Sequence, residues 1–300
     1  MKILVTGGAG FIGKHLVKFL IEKGSKVTIF DNFSNSEDSV AALVNIGAKI
    51  IEGDITKLDD VINATKNHDI VVHLAAKISV EESIKNPSET FHINVDGTRN
   101  VLIACEKNHV KKMIVASSAA VYGESLPGVK LTENSKTNPI SPYGKSKVMM
   151  EREIRKFISK HNINCIVLRF FNIYGIGQSV EYAGVITKFI NRIKANKSLE
   201  ILGDGMQTRD FVSIKDVINS IYHAIENGKN GTYNIACGKA ITIKELAEFM
   251  ISLYGKNLEI IYSDTKKGDI RFSQADITLA KKELGYLPKH GLDEIKNLLN

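Results

Sequence analysis

A short apolar run, Lys2-Ile3-Leu4-Val5-Thr6, passes through Gly7-Gly8-Ala9-Gly10-Phe11-Ile12-Gly13 into a segment whose apolar residues recur at helical spacing as far as Gly24. The pattern reads as a buried parallel strand, a glycine turn and a helix. Three needs for glycine coincide in such a turn. The bend is tight, an anion must approach the backbone closely, and the helix must pack hard on its strand with its N-terminus facing that anion. A glycine pattern alone is weak, because tight turns produce it by chance. Here Lys26 to Phe30 follows as a second strand and ends in Asp31, where an acidic side chain would accept hydrogen bonds from a ribose diol. The whole unit specifies dinucleotide binding. Asp31 also repels a 2′-phosphate and no Arg follows it closely, so NAD is favoured over NADP.

Further strands are expected at Lys49 to Glu52, Ile70 to Ala75, Met113 to Ser117 and Cys165 to Phe170, with helices near 57 to 66, 88 to 108 and 142 to 160. This alternation predicts an α/β fold, a doubly wound, Rossmann-like parallel sheet over residues 1–170, with ligands beyond the carboxyl ends of its strands. Those ends carry Gly7, Asp31, Asp54, Ala75-Ala76, Ser117-Ser118 and Asn172. Past about residue 171, polar and glycine-containing stretches separate shorter elements. They predict a smaller C-terminal substrate-binding lobe over 171–300, with later segments returning to the first unit.

An apolar fraction of 43% and a mean hydropathy of −0.06 suit a large buried core and exclude fibrous or disordered chains. No charged-then-apolar leader precedes the first strand, and apolar runs such as Ile70 to Ala76 are too short to span a bilayer. A cytoplasmic protein without membrane association is expected. Cys105, Cys165 and Cys237 are scattered in apolar surroundings without ligand spacing, so free thiols are expected and no metal site. The net charge of +7 is spread over many lysines with no long basic block, which argues against nucleic acid and suits a doubly anionic sugar nucleotide.

Tyr143-Gly-Lys-Ser-Lys147 carries the chemistry. Ser141 suits an N-cap, Pro142 suits the first helical position, and an amphipathic run follows, so Tyr143 and Lys147 share one helix face near its start. A free phenol has a pKa of about 10, and bringing it roughly three units down requires about 4 kcal/mol of selective phenolate stabilisation. Lys147 and a cationic nicotinamide could supply that together. Standing alone, such a pair would be read as part of an ordinary solvated helix. His73, on an apolar strand, is read as a core or strand-end residue rather than a catalyst.

Thr6-Gly-Gly-Ala-Gly-Phe-Ile-Gly13, Asp31-Asn32, Asp54-Ile55, His73-Leu-Ala-Ala76, Ser117-Ser-Ala-Ala-Val-Tyr-Gly123 and Tyr143-Gly-Lys-Ser-Lys147 occur in this order, and Arg169-Phe-Phe-Asn172, Gly203-Asp-Gly-Met-Gln-Thr-Arg-Asp210 and Gly268-Asp-Ile-Arg271 continue the series. The chain thereby resembles the extended short-chain dehydrogenase/reductases over essentially its whole length, and within them the UDP-glucose 4-epimerase group. The resemblance implies a catalytic trio of Ser118, Tyr143 and Lys147. It implies NAD held by Gly7, Gly10, Phe11, Ile12, Gly13, Asp31, Asn32, Asp54, Ile55, Leu74, Ala75, Ala76 and Asn94 as well as by Tyr143 and Lys147. For a UDP-sugar substrate it implies contacts from Ser118, Asn172, Val185, Arg209, Lys266, Asp269, Arg271 and Ser273. It also implies a homodimer formed through the helices near 94 to 108 and 142 to 160.

In the reaction so implied, Tyr143 takes the proton of the sugar's 4-hydroxyl while hydride passes to NAD, and the 4-keto sugar turns over before both are returned. The 4,6-dehydratases of the family follow their catalytic Thr with Asp-Glu, whereas this chain has Ala119 and Ala120 after Ser118, which disfavours dehydration. Lys266 stands where the family commonly has Arg; it keeps the charge and loses the fork, and Arg271 could compensate. Ser273 aligns with the family position that screens bulk near the sugar's C2, where a small side chain is associated with N-acetylated hexoses. UDP-GlcNAc and UDP-GalNAc are therefore expected alongside, or instead of, UDP-Glc and UDP-Gal. The alternatives are another nucleotide-sugar-modifying enzyme of the family, a UDP-glucuronate 4-epimerase, a dehydratase or a net oxidoreductase, or else a dinucleotide sensor without chemistry, which would be free to lose the trio.

Overall fold

The computed structural model describes residues 1–34, 40–178, 184–265 and 270–298. Among them the strands are, in chain order, β1 (Lys2–Thr6), β2 (Lys26–Asp31), β3 (Lys49–Glu52), β4 (Ile70–His73), β5 (Lys112–Ser118), β6 (Asn164–Phe170), β7 (Asn172–Tyr174), β8 (Leu199–Leu202), β9 (Thr208–Ser213), β10 (Gly231–Ile235), β11 (Ala240–Thr242) and β12 (Ile260–Ser263). The α-helices are α1 (Phe11–Glu22), α2 (Val40–Asn45), α3 (Leu58–Thr65), α4 (Val80–Lys85), α5 (Pro87–Phe91), α6 (Gly97–Lys107), α7 (Pro142–Ile158), α8 (Val185–Lys194), α9 (Ile214–Asn227), α10 (Ile243–Leu253) and α11 (Thr278–Leu284).

Seven strands form one parallel sheet in the order β10-β6-β5-β4-β1-β2-β3. Ile3, Leu4 and Val5 of β1 are wholly buried, as expected of a strand covered on both faces, and apolar clusters line each side of the sheet. The chain winds outward from β1 through β2 to β3, then returns to the other flank of β1 as β4. That reversal opens a crevice beyond the carboxyl ends of β1 and β4, where doubly wound sheets bind ligands. After β6 the chain builds two small sheets, β11-β9-β7 and β12-β8, around a third core that includes Phe189, Leu199, Leu246 and Met250, and β10 rejoins the large sheet beside β6.

Local sequence accounts for the elements that carry the site. Helix α7 starts where Ser141 and Pro142 predict: the Ser141 hydroxyl accepts the Gly144 N–H at 3.1 Å and Pro142 takes the first turn, whose N–H would have no helical partner. The single helix expected near 88 to 108 is instead α5, a π-helical turn over His92–Asp96, and α6. The widened turn seats the buried Asn94, and π turns of this kind accompany functional sites. Strand β4 stops at His73 rather than Ala75: the Leu74 N–H makes the last ladder bond, to the Thr6 carbonyl at 3.0 Å, and the Ala75 N–H turns to the Thr6 hydroxyl at 3.3 Å. Among the described residues no helix is long and apolar enough to cross a membrane, and no cluster of His, Cys, Asp and Glu is placed to hold a metal ion.

Candidate active site

The glycine turn fits a dinucleotide on its own geometry. Gly7 has φ +69°, and a Cβ there would lie 2.6 Å from the Ala75 nitrogen across the crevice. A Cβ on Gly13 would lie 2.3 Å from the Gly7 carbonyl oxygen, so α1 reaches the turn closely only because position 13 has no side chain. Gly10, the N-cap of α1, has an ordinary φ of −76° and no side-chain cap, leaving the first N–H groups of the helix available to an anion. Asp31 ends β2; one carboxylate oxygen accepts the Ala9 N–H at 3.0 Å and the other the Phe33 N–H at 2.9 Å. A carboxylate has about four acceptor sites, so capacity remains for a ribose diol.

Asp54 and Ile55 extend the cradle beyond β3. Burial opposes ionisation of Asp54, but hydrogen bonds from the Thr56 amide and hydroxyl, both 2.8 Å, and from Asn32 outweigh it and hold the carboxyl below its usual range. Ile55 is buried against Gly97, where a Cβ would meet the isoleucine side chain at 2.7 Å. Asn94 ties this half of the site to the other: its side chain accepts the Lys77 N–H at 2.8 Å and donates to the Lys77 carbonyl and the Ser146 hydroxyl, each at 2.9 Å. Ser146 lies on α7 between Tyr143 and Lys147. His73 is a core residue, its ring held between the hydroxyls of Thr6 at 2.7 Å and Thr98 at 2.9 Å. Burial, aided by the Lys147 ammonium, pushes its pKa down to about 3, so it is neutral.

The three predicted reactive residues converge. Ser118 closes β5, and its hydroxyl accepts the Ala120 N–H at 3.2 Å and bonds the Tyr143 phenol. Burial raises the Tyr143 phenol above its ordinary value, with the Ser118 bond pulling the other way, so further positive charge is needed to make it a base near neutrality. One turn along α7, the Lys147 ammonium is buried and donates to the Ala116 carbonyl at 2.9 Å. Burial lowers it to about 8, which leaves it mostly charged at neutral pH.

Ser118 and Tyr143 face a cleft of about 440 Å³ that also takes in Asn172, Arg209 and Ser273, so five sequence-predicted residues share one cavity of ligand size. Ser273 is only 6% exposed, a cleft residue rather than a loop surface one. Val185, at the first position of α8, is not among the residues lining the cleft. Neither is Arg271, whose guanidinium is exposed and bonds Asp204 at 2.7 Å. Lys266 and Asp269 lie outside the described residues.

The sequence reading missed the wall supplied by α4, where Val80, Glu81, Ile84 and Lys85 line the cleft, together with Ile140, Phe170 and Ile270. Val80, Ile84 and Ile140 are 41%, 57% and 43% exposed, and apolar side chains left in the open at a cavity are the signal that marks such a wall. Glu81 pairs with Lys85 at 3.5 Å.

The NAD dependent epimerase/dehydratase family matches residues 3–236. A protein of Methanocaldococcus jannaschii, provisionally named a UDP-glucose 4-epimerase, is 40% identical over 99% of this chain and 97% of its own. The crystal structure of UDP-glucose 4-epimerase from Thermotoga maritima with UDP-glucose superposes with a TM-score of 0.94 at 35% identity, covering 100% of this chain and 97% of that one. A UDP-N-acetylglucosamine 4-epimerase from Methanobrevibacter ruminantium in complex with UDP-N-acetylmuramic acid gives 0.91 at 36% identity, over 99% and 95% of the two chains.

Proposed function

Because the chain belongs to the NAD dependent epimerase/dehydratase family of extended short-chain dehydrogenase/reductases, with NAD as its cofactor, we propose that it interconverts the C4 epimers of a UDP-hexose through a 4-keto sugar. The observation that carries this reading is the meeting of Ser118 and Tyr143 on the cleft wall, with Lys147 buried one turn away and alanine at 119 and 120, where a dehydratase needs carboxylates.

The residues divide the work. Tyr143 takes the proton of the sugar's 4-hydroxyl, and Ser118, bonded to it, holds the sugar oxygen and relays that proton. Lys147 contributes fixed positive charge toward the phenol and binds the nicotinamide ribose. NAD, held by the glycine turn, Asp31 and Lys147, would supply the acceptor and donor of the C4 hydride. The 4-keto sugar would turn in the cleft so that its opposite face is reduced, and Tyr143 returns the proton to the sugar oxygen. Turning requires a loose hold on the hexose and a firm one on the nucleotide, so binding energy must come from groups that do not react. Arg209 and Asn172 line the cleft, and their assignment to the diphosphate is supported by the fit of a guanidinium to that anion.

The purified protein, without added cofactor, is expected to convert UDP-Gal to UDP-Glc with no net NADH, as followed by proton NMR. A keto, deoxy or decarboxylated product would sink the proposal. Ser273, small and buried in the cleft, supports turnover of UDP-GlcNAc and UDP-GalNAc as well. Ser273→Tyr is expected to lower kcat/KM for UDP-GalNAc by about a hundredfold while UDP-Gal stays within about tenfold. An equal loss on both sugars would remove Ser273 from its assigned role. The same reading takes a homodimer packed through the outer face of α6 and α7, where Arg99 and Glu153 bridge the two helices at 3.2 Å and Met149 is exposed.

A further inference from the structure

Behind the catalytic groups lies a buried charged cluster that the reaction scheme leaves unused. Glu151, 1% exposed, sits one turn beyond Lys147 on α7. Its carboxylate accepts the Ser117 hydroxyl at 2.7 Å and two bonds from the Arg169 guanidinium, at 2.9 and 2.6 Å. Ser117 and Arg169 are directly paired across β5 and β6, so one carboxylate clamps both strand ends to the helix. The clamp is fixed from behind: Arg169 also donates to the Tyr122 hydroxyl at 2.9 Å, and that hydroxyl donates to Asn234 of β10 at 2.6 Å. Three consecutive residues at the end of β5 thus serve α7 and the cleft together. The Ala116 carbonyl holds the Lys147 ammonium, Ser117 holds Glu151, and Ser118 reaches Tyr143.

We propose that Glu151 is a positioning residue of the reaction, which keeps the buried Lys147 in its ammonium form and fixes the strand end that presents Ser118. The charge count around Lys147 supports this. From α7 it is faced by the Glu151 carboxylate and the Met150 sulfur, from β4 by the neutral His73 and from β5 by the Ala116 carbonyl, while Arg169 of β6 acts through Glu151. Arg155 reaches Glu151 from the surface at 3.6 Å. The buried charges are therefore two cations, Lys147 and Arg169, and one anion, Glu151. The surplus of one positive charge is what a Tyr143 phenolate would neutralise. Burial alone drives Lys147 toward the neutral amine, and Glu151 is the charge that opposes this.

The inference rests on the reading of Lys147 given under Proposed function, and the test separates the two. Epimerisation of UDP-Gal is measured across pH 6 to 10 in NAD-loaded protein. In parallel, the Lys147 Cε resonance of 13C-lysine-labelled protein, assigned by its loss in Lys147→Met, is titrated. Wild type should lose activity as pH rises through about 8, where Lys147 gives up its proton. Glu151→Gln leaves two unbalanced cations, so the Lys147 titration and the alkaline limb should both move down by about one pH unit or more. Arg169→Gln leaves Glu151 to Lys147 alone and should move both up, and the double variant should return them close to wild type. The two single variants carry the test together, since shifts of opposite sign are required of them. An unmoved titration with activity lowered equally at every pH would overturn the proposal and leave Glu151 as packing only. If Lys147→Met turns over normally, the role of Lys147 itself fails. If that variant is inactive and Glu151→Gln shifts nothing, only the inference about Glu151 fails.

Discussion

Tyr143→Phe is expected to slow epimerisation by about a thousandfold, roughly 4 kcal/mol of transition-state stabilisation, while NAD and UDP still bind. The substitution removes one oxygen and keeps the ring, so α7 retains its Ser141 cap and Lys147 its bond to Ala116. Ser118 still has the Ala120 N–H as a partner. What disappears is the group that takes the proton from the sugar hydroxyl. The loss should fall on kcat with KM little changed, because the phenol acts on a bond being broken rather than on the nucleotide that supplies binding. Rates within tenfold of wild type would show that Tyr143 does not move the proton. Release of NAD from the variant would show that the hydroxyl acts first in holding the cofactor. Burial raises this phenol, and Ser118 only partly offsets the rise.

Much of the site was legible because its signals are short-range. The glycine spacing, the acid at the end of β2 and the Ser-Pro start of α7 each depend on a few adjacent residues, and backbone geometry turns them directly into a turn, a carboxylate beside that turn and a helix face. The parallel sheet followed from alternation, whereas the place of β10 beside β6 had no signal in the sequence. What escaped depends on long-range packing. Asn94 can be suggested by family likeness, but the π turn that seats it arises where α5 meets α6, and hydrophobic periodicity does not encode a one-residue widening. The α4 wall reads in sequence as an ordinary exposed amphipathic turn, and only the fold sets it across from Ser273 in one cleft. The clamp of Glu151, Ser117 and Arg169 joins residues 18 and 34 positions apart, with nothing local to mark them as partners. Arg271 shows the converse. Its charge invited a diphosphate role, yet Asp204, 67 positions away, pairs with it at the surface.

The glycine turn gives the second large effect, and it comes as a contrast between two neighbours. Gly13→Ala places a methyl group 2.3 Å from the Gly7 oxygen and 2.6 Å from the Gly8 Cα, all backbone atoms with no rotamer to yield. Alanine's better helix propensity returns at most about 1 kcal/mol, while overpacking of this kind costs about 1–3 kcal/mol or more. The cofactor-free variant should melt several degrees lower, and NAD binding should fall as the turn is forced apart. Gly10→Ala is different. Its φ of −76° suits any residue, and the added carbon would meet only the Gly7 oxygen, at 3.2 Å. The cofactor-free protein should therefore melt only slightly below the wild-type temperature, since the restricted unfolded chain partly offsets alanine's poorer fit at an N-cap and its close approach to the Gly7 oxygen. NAD affinity should nonetheless drop by about a hundredfold or more, because the methyl group occupies the face over which the pyrophosphate must pass to reach the N-terminus of α1. Thermal melts of cofactor-free protein and calorimetric titration with NAD separate the two roles, packing at Gly13 and approach at Gly10. A Gly10→Ala protein that binds NAD as tightly as wild type would mean that the pyrophosphate does not cross that face of the turn.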